Sequence, residues 1–177
     1  GWAPANGSFQ AMVTGMRVLW GEEKTRGWLI GMQTNDPKIY PKNTPQVAAV
    51  AAGEIDVGLV NHYYLHRFLQ EEGDTFPARN YHPRAGGPGS LVMVAGAGMM
   101  RNGKNHANAE IFLRFMLSIV GQQYFAGQTY EYPLVDGVTT NRLLAPLKEI
   151  AKPDVDMVSL SDLQGTQRLL RDLNIIE

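Results

Sequence analysis

The sequence predicts an α/β fold, in which short strands alternate with helices. Three observations predict it: a helical apolar repeat starts at Phe9 after a turn, residues 56–60 form a strand-like apolar run, and a second helical pattern follows at residue 61. Strand followed by helix through short links is typical of sheets whose ligand sites lie at the carboxyl ends of strands. We therefore expect functional residues directly after the strands.

The first half of the chain shows this alternation in order. In the first helix the apolar positions recur at helical spacing, and they are Phe9, Met12, Val13, Met16 and Leu19. The further predictions are a helix over residues 22–33 that Pro37 prevents from continuing, a brief strand over 38–40, a helix from Thr44 and Pro45 to Gly53, and a helix over 61–72 that ends at Gly73.

The second half is predicted to be mainly helical. Residues 79–81 could form a strand, and the turn-rich residues 83–89 mark a boundary or hinge before a central strand over 90–95. Beyond it the pattern predicts helices over 107–118, 121–126, 143–150 and 161–173, and an extended stretch over 130–135. With one strand and four helices, this half has no sheet of its own.

Composition excludes several classes of protein. With 16 Lys and Arg against 17 Asp and Glu, the chain has no broad positive field, and nucleic acid is not an expected partner. No apolar run reaches the roughly 18 residues that span a bilayer. The absence of cysteine excludes thiolate metal sites, redox pairs and disulfides. The start at Gly1, without an initiator Met or a signal peptide, is what we expect of a processed chain or of a piece of a longer one.

Two adjacent tyrosines follow the predicted strand at 56–60. Neighbouring side chains point to opposite faces in a strand and diverge by about 100° in a helix. Tyr63 and Tyr64 can therefore share a target only where strand becomes helix, which is where the sequence puts them. A phenol titrates near 10, so it becomes an anionic ligand at neutral pH only when a strong Lewis acid such as Fe³⁺ displaces its proton. The ordinary alternative is one tyrosine in the core and the other showing its hydroxyl to solvent.

Two helix entries could bind a small oxyanion. Asn6, Gly7 and Ser8 gather N–H groups, an amide and a hydroxyl at the first helix, where the helix dipole favours negative charge. Asn43, at another entry from loop to helix, could donate to the same anion. Each feature alone is more often ordinary capping or a turn residue.

Other chemical patterns are weaker. His62 and His66 have the i, i+4 spacing of a zinc pair, but no third ligand with suitable spacing is evident. The glycines of residues 86–89 lack the Lys-Ser/Thr that follows in a phosphate-binding loop, and no Gly-x-Ser-x-Gly sequence is present. No nucleophile with a matching base was identified, so an enzyme is not expected.

Taken together, the motifs resemble the ferric-ion-binding periplasmic proteins of bacterial iron uptake, the substrate-binding components of iron ABC transporters. The resemblance covers nearly the whole chain, in the order of that family. The segments that carry it are residues 3–9, 40–43, 53–64, 88–92 and 131–134, of which 53–64 is highly specific.

The resemblance implies a type II periplasmic-binding-protein fold, with two lobes that close over Fe³⁺. It assigns the metal to Tyr63 and Tyr64. A synergistic anion, phosphate or carbonate, would bind to the donors Asn6, Gly7, Ser8, Asn43 and Asn61. Some relatives supply another tyrosine from the first helix, where this chain has Phe9, and this departure favours an anion-assisted site. The implied partner is the membrane permease of an ABC transporter.

The resemblance also implies an incomplete pair of lobes. Residues 1–92 are expected to form the second, ligand-binding lobe, and residues 93–177 to return to a first lobe whose amino-terminal part, with its own ligands, would precede Gly1. The implied location is the periplasm, or the outside of a Gram-positive cell with a lipid anchor.

Two other functions are compatible with the same fold. The tyrosines could merely line the cleft of a binding protein for an oxyanion or a small organic acid. The chain could also be the effector-binding domain of a transcriptional regulator, in which case a DNA-binding segment would adjoin it.

Overall fold

Seven α-helices make up most of the regular structure. The structure is a computed structural model that describes all residues, 1–177. The helices are α1 (Gly7–Trp20), α2 (Glu22–Thr34), α3 (Asn43–Ala51), α4 (Tyr63–Glu72), α5 (His106–Met116), α6 (Ile119–Gln128) and α7 (Leu163–Asp172). Short 3-10 turns lie at Gly73–Thr75, Pro88–Ser90, Leu147–Glu149 and Met157–Ser161.

The predicted strands are reduced to a minimal parallel arrangement of three segments. Trp2 pairs with Ile39 in an isolated parallel β-bridge, through Trp2 N to Lys38 O at 3.0 Å and Tyr40 N to Trp2 O at 2.9 Å. On its other side, Gly1 donates to Val57 O at 2.6 Å and accepts from Leu59 N at 3.2 Å. The segment at residues 1–2 therefore lies between those at 38–40 and 57–59. The buried strand expected at 56–60 is less enclosed than predicted, since Val57 is 68% exposed.

The chain divides into two compact units, residues 1–93 with 150–177, and residues 94–149. In the first unit, α1, α2 and α7 enclose a core whose buried members are Trp2, Phe9, Val13, Met16, Leu29, Leu169, Leu170 and Ile175. A second cluster, beneath α3 and α4, contains Val47, Leu65, Phe76 and Ala78. Residues 150–177 thus pack with residues 1–93, which differs from the single division at residue 92 that the sequence predicted. How the units correspond to lobes of a longer protein stays a prediction.

Within the first unit, helix α7 packs against α1 through polar contacts as well as apolar ones. The hydroxyls of Thr14 and Thr166 are buried and 2.7 Å apart. Arg17 bridges Glu22 at 2.6 Å and Asp162 at 3.0 Å. The fully buried Leu169 and Leu170 form its apolar contact with the core. A helix was predicted over residues 161–173, but a helical pattern does not specify which surface the helix will cover.

Three predicted elements of the second half are wrong. Residues 90–95 and 79–81 form no strand, because no other segment pairs with them and a strand needs a neighbour for its backbone groups. Residues 143–150 contain only the turn Leu147–Glu149, since Pro146 lacks an N–H and disfavours the helical conformation of Ala145 before it. Residues 130–135, which were predicted to be extended, contain no helix, and Tyr130 has a positive φ of 59°.

Gly165 lies against the side chains that link α1 and the start of α7, and these would have to move to admit a Cβ. A Cβ there would overlap the carboxylate of Asp162 and lie 2.7 Å from Arg17 Nη2. Gly165→Ala should therefore disturb the cap in which Asp162 Oδ1 accepts from Gly165 N at 2.9 Å. The lost cap should offset the gain in helix propensity, so that its Tm lies about 2–6 °C below that of Gly27→Ala. Gly27→Ala in α2, where nothing lies within 4 Å, is the matched control and should raise Tm slightly. Equal thermal melts for the two variants would contradict this packing.

Candidate metal centre

The loops that follow the three parallel segments carry the predicted site residues. They are residues 3–6, 41–42 and 60–62, leading into α1, α3 and α4 respectively. Residues 1–2 form the middle segment, with residues 38–40 on one side and residues 57–59 on the other. The chain therefore passes from the middle segment first to one neighbour and later to the other. A crevice at such a switch point is the usual ligand site of an open α/β sheet.

Asn6 and Ser8 are already bonded to each other at the start of α1. Asn6 is the N-cap, and its Oδ1 accepts from both Ser8 N at 2.9 Å and Ser8 Oγ at 2.6 Å. Asn6 Oδ1 therefore occupies both donors, Ser8 N and Ser8 Oγ. An oxyanion that bonds to these donors must displace Asn6 Oδ1. The amide of Gly7, in the first turn of α1 and exposed, stays available at the positive end of the helix dipole.

Asn43 links the start of α3 to the start of α1. Its side chain is only 3% exposed, and Nδ2 lies 3.5 Å from Ser8 Oγ. Gln46, one turn further along α3, donates from Nε2 to Asn43 Oδ1 at 3.5 Å and to Leu59 O at 3.2 Å. The structure thus brings Asn6, Ser8 and Asn43 together, and Gln46 ties them to the segment that leads to the tyrosines.

Tyr63 and Tyr64 occupy the first two positions of α4. His62 precedes them as the N-cap residue, already with helical dihedrals, so the helix starts two residues later than the predicted residue 61. The two rings are tilted by 35°, with centroids 4.6 Å apart, and both residues are half-buried. The backbone therefore holds two neighbouring phenol rings side by side, and neither is sealed in the core.

Each tyrosine has a distinct environment. Tyr63 Oη accepts a hydrogen bond from Asn61 Nδ2 at 3.0 Å. A donor aimed at this oxygen stabilises an anionic oxygen more than a neutral one. Tyr64 packs at the edge of the cluster that contains Leu65 and Phe76, and the Arg67 guanidinium lies 5.6 Å from its ring centroid.

The histidines near the tyrosines do not form a ligand set of the usual kind. His62 and His66 have ring centroids 6.4 Å apart. No group of three or more His, Asp or Glu side chains is arranged to hold a metal ion.

None of the helices combines the length and hydrophobicity that crossing a membrane requires.

His66 should make the stability of the first unit depend on pH. Burial, followed by the nearby His62 and His82, lowers the pKa of His66 below its ordinary value of 6.5. The unfolded chain therefore binds this proton more readily, so the free energy of unfolding is highest above pH 6.5 and falls as the pH drops towards the lowered pKa. Urea unfolding at several pH values should show this loss in wild type. His66→Gln should show less of it, whereas His106→Gln, at an exposed position, should follow wild type.

Gln46 is the site-proximal residue that sequence reasoning missed. It is fully buried among the apolar side chains of α3, and it follows Asn43 by three residues, a spacing that puts both on one helix face. A polar residue within the apolar face of a helix was the available signal. Its contact with Leu59 depends on tertiary structure, which this spacing does not reveal.

The fold and this arrangement define a class of protein, the type II periplasmic-binding proteins. The chain has a TM-score of 0.92 to the crystal structure of iron-bound HitA from Pseudomonas aeruginosa, with 32% identity, over 98% of this chain and 56% of that one. The predicted α/β fold class is confirmed. No family model matches the sequence.

Within that class, the curated relatives are ferric iron-binding proteins. The chain is 34% identical over 175 residues to the major ferric iron-binding protein of Neisseria meningitidis serogroup B, covering 96% of this chain and 51% of the relative. It is 31% identical over 164 residues to the Fe(3+)-binding periplasmic protein of Serratia marcescens, covering 90% of this chain and 48% of the relative. The chain spans about half the length of the curated relatives it matches. The predicted resemblance to ferric-ion-binding periplasmic proteins is confirmed.

Proposed function

We propose that this chain is the tyrosine-bearing part of a periplasmic carrier that binds Fe³⁺ together with an anion and delivers it to an ABC-type permease. The observation that carries the proposal is the pair of adjacent phenol rings at the start of α4, with Asn61 aimed at the Tyr63 oxygen. The relatives' names, which specify ferric iron, support the same cargo. In this function the protein transports iron and catalyses no reaction.

The chemistry of the two phenols suits a hard trivalent cation. A phenol in water titrates near 10 and is neutral at physiological pH. Binding Fe³⁺ displaces both protons and forms two phenolate bonds, which makes uptake release protons and makes acid favour loss of the metal. The hydrogen bond from Asn61 at 3.0 Å and the start of α4 both stabilise the negative charge that develops on Tyr63.

The anion would occupy the start of α1. Phosphate or carbonate there would accept from Gly7 N, Ser8 N, Ser8 Oγ and the amide of Asn43, while Asn6 would turn its own amide nitrogen towards the anion. Asn6 Oδ1 now accepts at 2.9 and 2.6 Å from Ser8, and an anion oxygen would replace it there. Asn43 at the start of α3 and Asn61 on the loop before α4 would be the further donors, and the anion would bridge the protein and the iron.

Residues 94–149 would form part of the other lobe in the longer protein. Helix α5 has no buried residue, and α5 and α6 expose Ile111 at 66%, Phe112 at 61%, Val120 at 69% and Tyr124 at 63%. Such an apolar surface is typical of an interface. We expect this apolar surface to pack against the part of the longer protein that corresponds to the unmatched half of the relatives.

A fluorescent apolar dye should bind to this surface and be displaced when that half is supplied. Failure of the dye to bind would contradict this role.

A titration with ferric nitrilotriacetate in the presence of phosphate tests the proposal. Phenolate-to-iron charge transfer should colour the loaded protein red to purple. Two tyrosines and one anion leave other coordination positions to solvent, buffer or a neighbouring chain, so we expect weak uptake by the 177-residue chain. Absence of a charge-transfer band at saturating iron would refute the tyrosine assignment, and tight 1:1 binding by a monomer would refute the incomplete ligand set.

A second candidate is a carrier for an oxyanion or a small organic acid. It is favoured by one observation, that Asn6, Ser8 and Asn43 are joined by hydrogen bonds without any contribution from the tyrosines. Calorimetry with phosphate or citrate, with and without iron, separates the two functions. Anion binding that is equally strong without iron favours this candidate, whereas anion binding that needs iron favours the ferric carrier.

A further inference from the structure

Gln46 is a polar side chain that is completely buried beside the candidate anion site. Its relative exposure is 0%, and its neighbours on α3 include the buried Val47 and Ala49. A buried amide is costly unless it is hydrogen-bonded. Gln46 Nε2 donates to Leu59 O at 3.2 Å and to Asn43 Oδ1 at 3.5 Å. These two bonds join the loop before α3 to the segment that leads to Asn61 and the tyrosines.

The carbonyl of Leu59 determines the direction of a chain of hydrogen bonds. A carbonyl can only accept, so Gln46 must turn its nitrogen towards Leu59, and the same nitrogen then faces Asn43 Oδ1. Asn43 is thereby oriented with its oxygen inward and its nitrogen towards Ser8 Oγ at 3.5 Å.

The orientation of Asn43 matters because an asparagine amide can present either a donor or an acceptor. With its nitrogen towards Ser8, Asn43 offers N–H groups on the side where an oxyanion would lie at the start of α1. With the amide reversed, its carbonyl oxygen would repel the same anion. Two bonds favour the first orientation: Ser8 Oγ, whose proton goes to Asn6 Oδ1, accepts from Asn43 Nδ2, and Gln46 Nε2 donates to Asn43 Oδ1. Only the bond from Gln46 avoids the groups that the anion would contact.

We propose that Gln46 is a positioning residue for the synergistic anion, acting through Asn43 without touching the anion. The inference rests on the proposed ferric carrier and identifies a residue that sets its anion affinity. It also separates two properties of the site. The tyrosines determine the charge-transfer colour, and Gln46 determines how much anion is needed to develop it.

The test compares two glutamine-to-methionine variants in the 177-residue chain. Gln46→Met keeps an unbranched side chain of similar length but removes the donor. Gln122→Met is the matched control, because Gln122 is also buried, at 6% exposure, and bonds Met116 O at 2.9 Å and Leu134 N at 2.8 Å, with no bond to a site residue. For each protein, ferric nitrilotriacetate is held constant and phosphate is titrated while the charge-transfer band is recorded.

Gln46→Met should raise the phosphate concentration at half-maximal colour about tenfold, as expected for the loss of one oriented donor, and leave the absorbance per iron at saturating phosphate unchanged. Gln122→Met should lower Tm without moving the phosphate midpoint. An unchanged midpoint in Gln46→Met would overturn the role of Gln46 and leave the ferric carrier intact. Absence of colour in wild type would instead overturn the carrier itself.

A measurement on wild type keeps the inference testable if Gln46→Met does not fold. Ga³⁺ replaces Fe³⁺ as a diamagnetic trivalent cation, and the side-chain amide signals of Asn43 and Gln46 are followed by NMR as phosphate is added. Asn43 should shift strongly because it donates to the anion, and Gln46 only weakly because it does not. A large shift of Gln46 with none at Asn43 would contradict the positioning role.

Discussion

Replacing both Tyr63 and Tyr64 by Phe should abolish the charge-transfer colour and weaken ferric binding by at least about a thousandfold, roughly 4 kcal/mol. The physical reason is that the double variant removes the two phenol oxygens that would become anionic ligands, while Phe preserves the rings that lie 4.6 Å apart. The measurement is the visible absorption of protein equilibrated with ferric nitrilotriacetate and phosphate, with the free iron concentration fixed by the chelator.

The single variants should differ from each other. Tyr63→Phe also leaves Asn61 Nδ2 without its acceptor at 3.0 Å, whereas Tyr64→Phe removes a hydroxyl at the edge of the α3–α4 cluster. The matched control is Tyr81→Phe with Tyr124→Phe, two tyrosines that are 76% and 63% exposed. Colour that survives in the Tyr63 and Tyr64 double variant, or is lost in the control, would contradict the ligand assignment.

The position of the tyrosines could be predicted from sequence because its determinants are local. The apolar run at 56–60, the polar residues after it and Gly73 at the end of α4 all lie within about twenty residues of chain. Such signals specify where a helix starts, and α4 starts within two residues of the prediction. The structure places the two rings with centroids 4.6 Å apart, and that their oxygens share one target stays a prediction.

The elements that could not be predicted depend on partners distant in the sequence. The apolar residues 90–95 have the composition of a strand but no neighbour with which to pair, and residues 93–100 are exposed. Helix α7 was predicted from its repeat, yet its packing on α1 depends on the contact between Thr14 and Thr166 and on Arg17. The orientation of Asn6, which accepts from Ser8, and the bond from Gln46 to Leu59 likewise exist only in the folded chain.

Trp2 is the residue whose loss should cost the first unit most stability. Its side chain is 2% exposed and meets Phe9 edge to face, with ring centroids 5.5 Å apart and planes at 87°. Its backbone lies in the middle of the parallel arrangement, bonded to Lys38 and Tyr40. Trp2→Ala should lower the free energy of unfolding by about 3–5 kcal/mol, a large part of the roughly 5–15 kcal/mol that holds a typical domain together.

The effect of Trp2→Ala should reach the site, because residues 3–6 lead directly from Trp2 to the start of α1. We expect weaker anion binding together with lower stability, both followed in one urea titration with phosphate present. Trp2→Phe should cost less, since it keeps an aromatic ring and also removes the indole N–H that is buried without a partner. Trp20→Ala is the control, because Trp20 is only partly buried beside Lys24 and should cost much less. If Trp20→Ala were the more damaging, the core of the first unit would not be organised around Trp2.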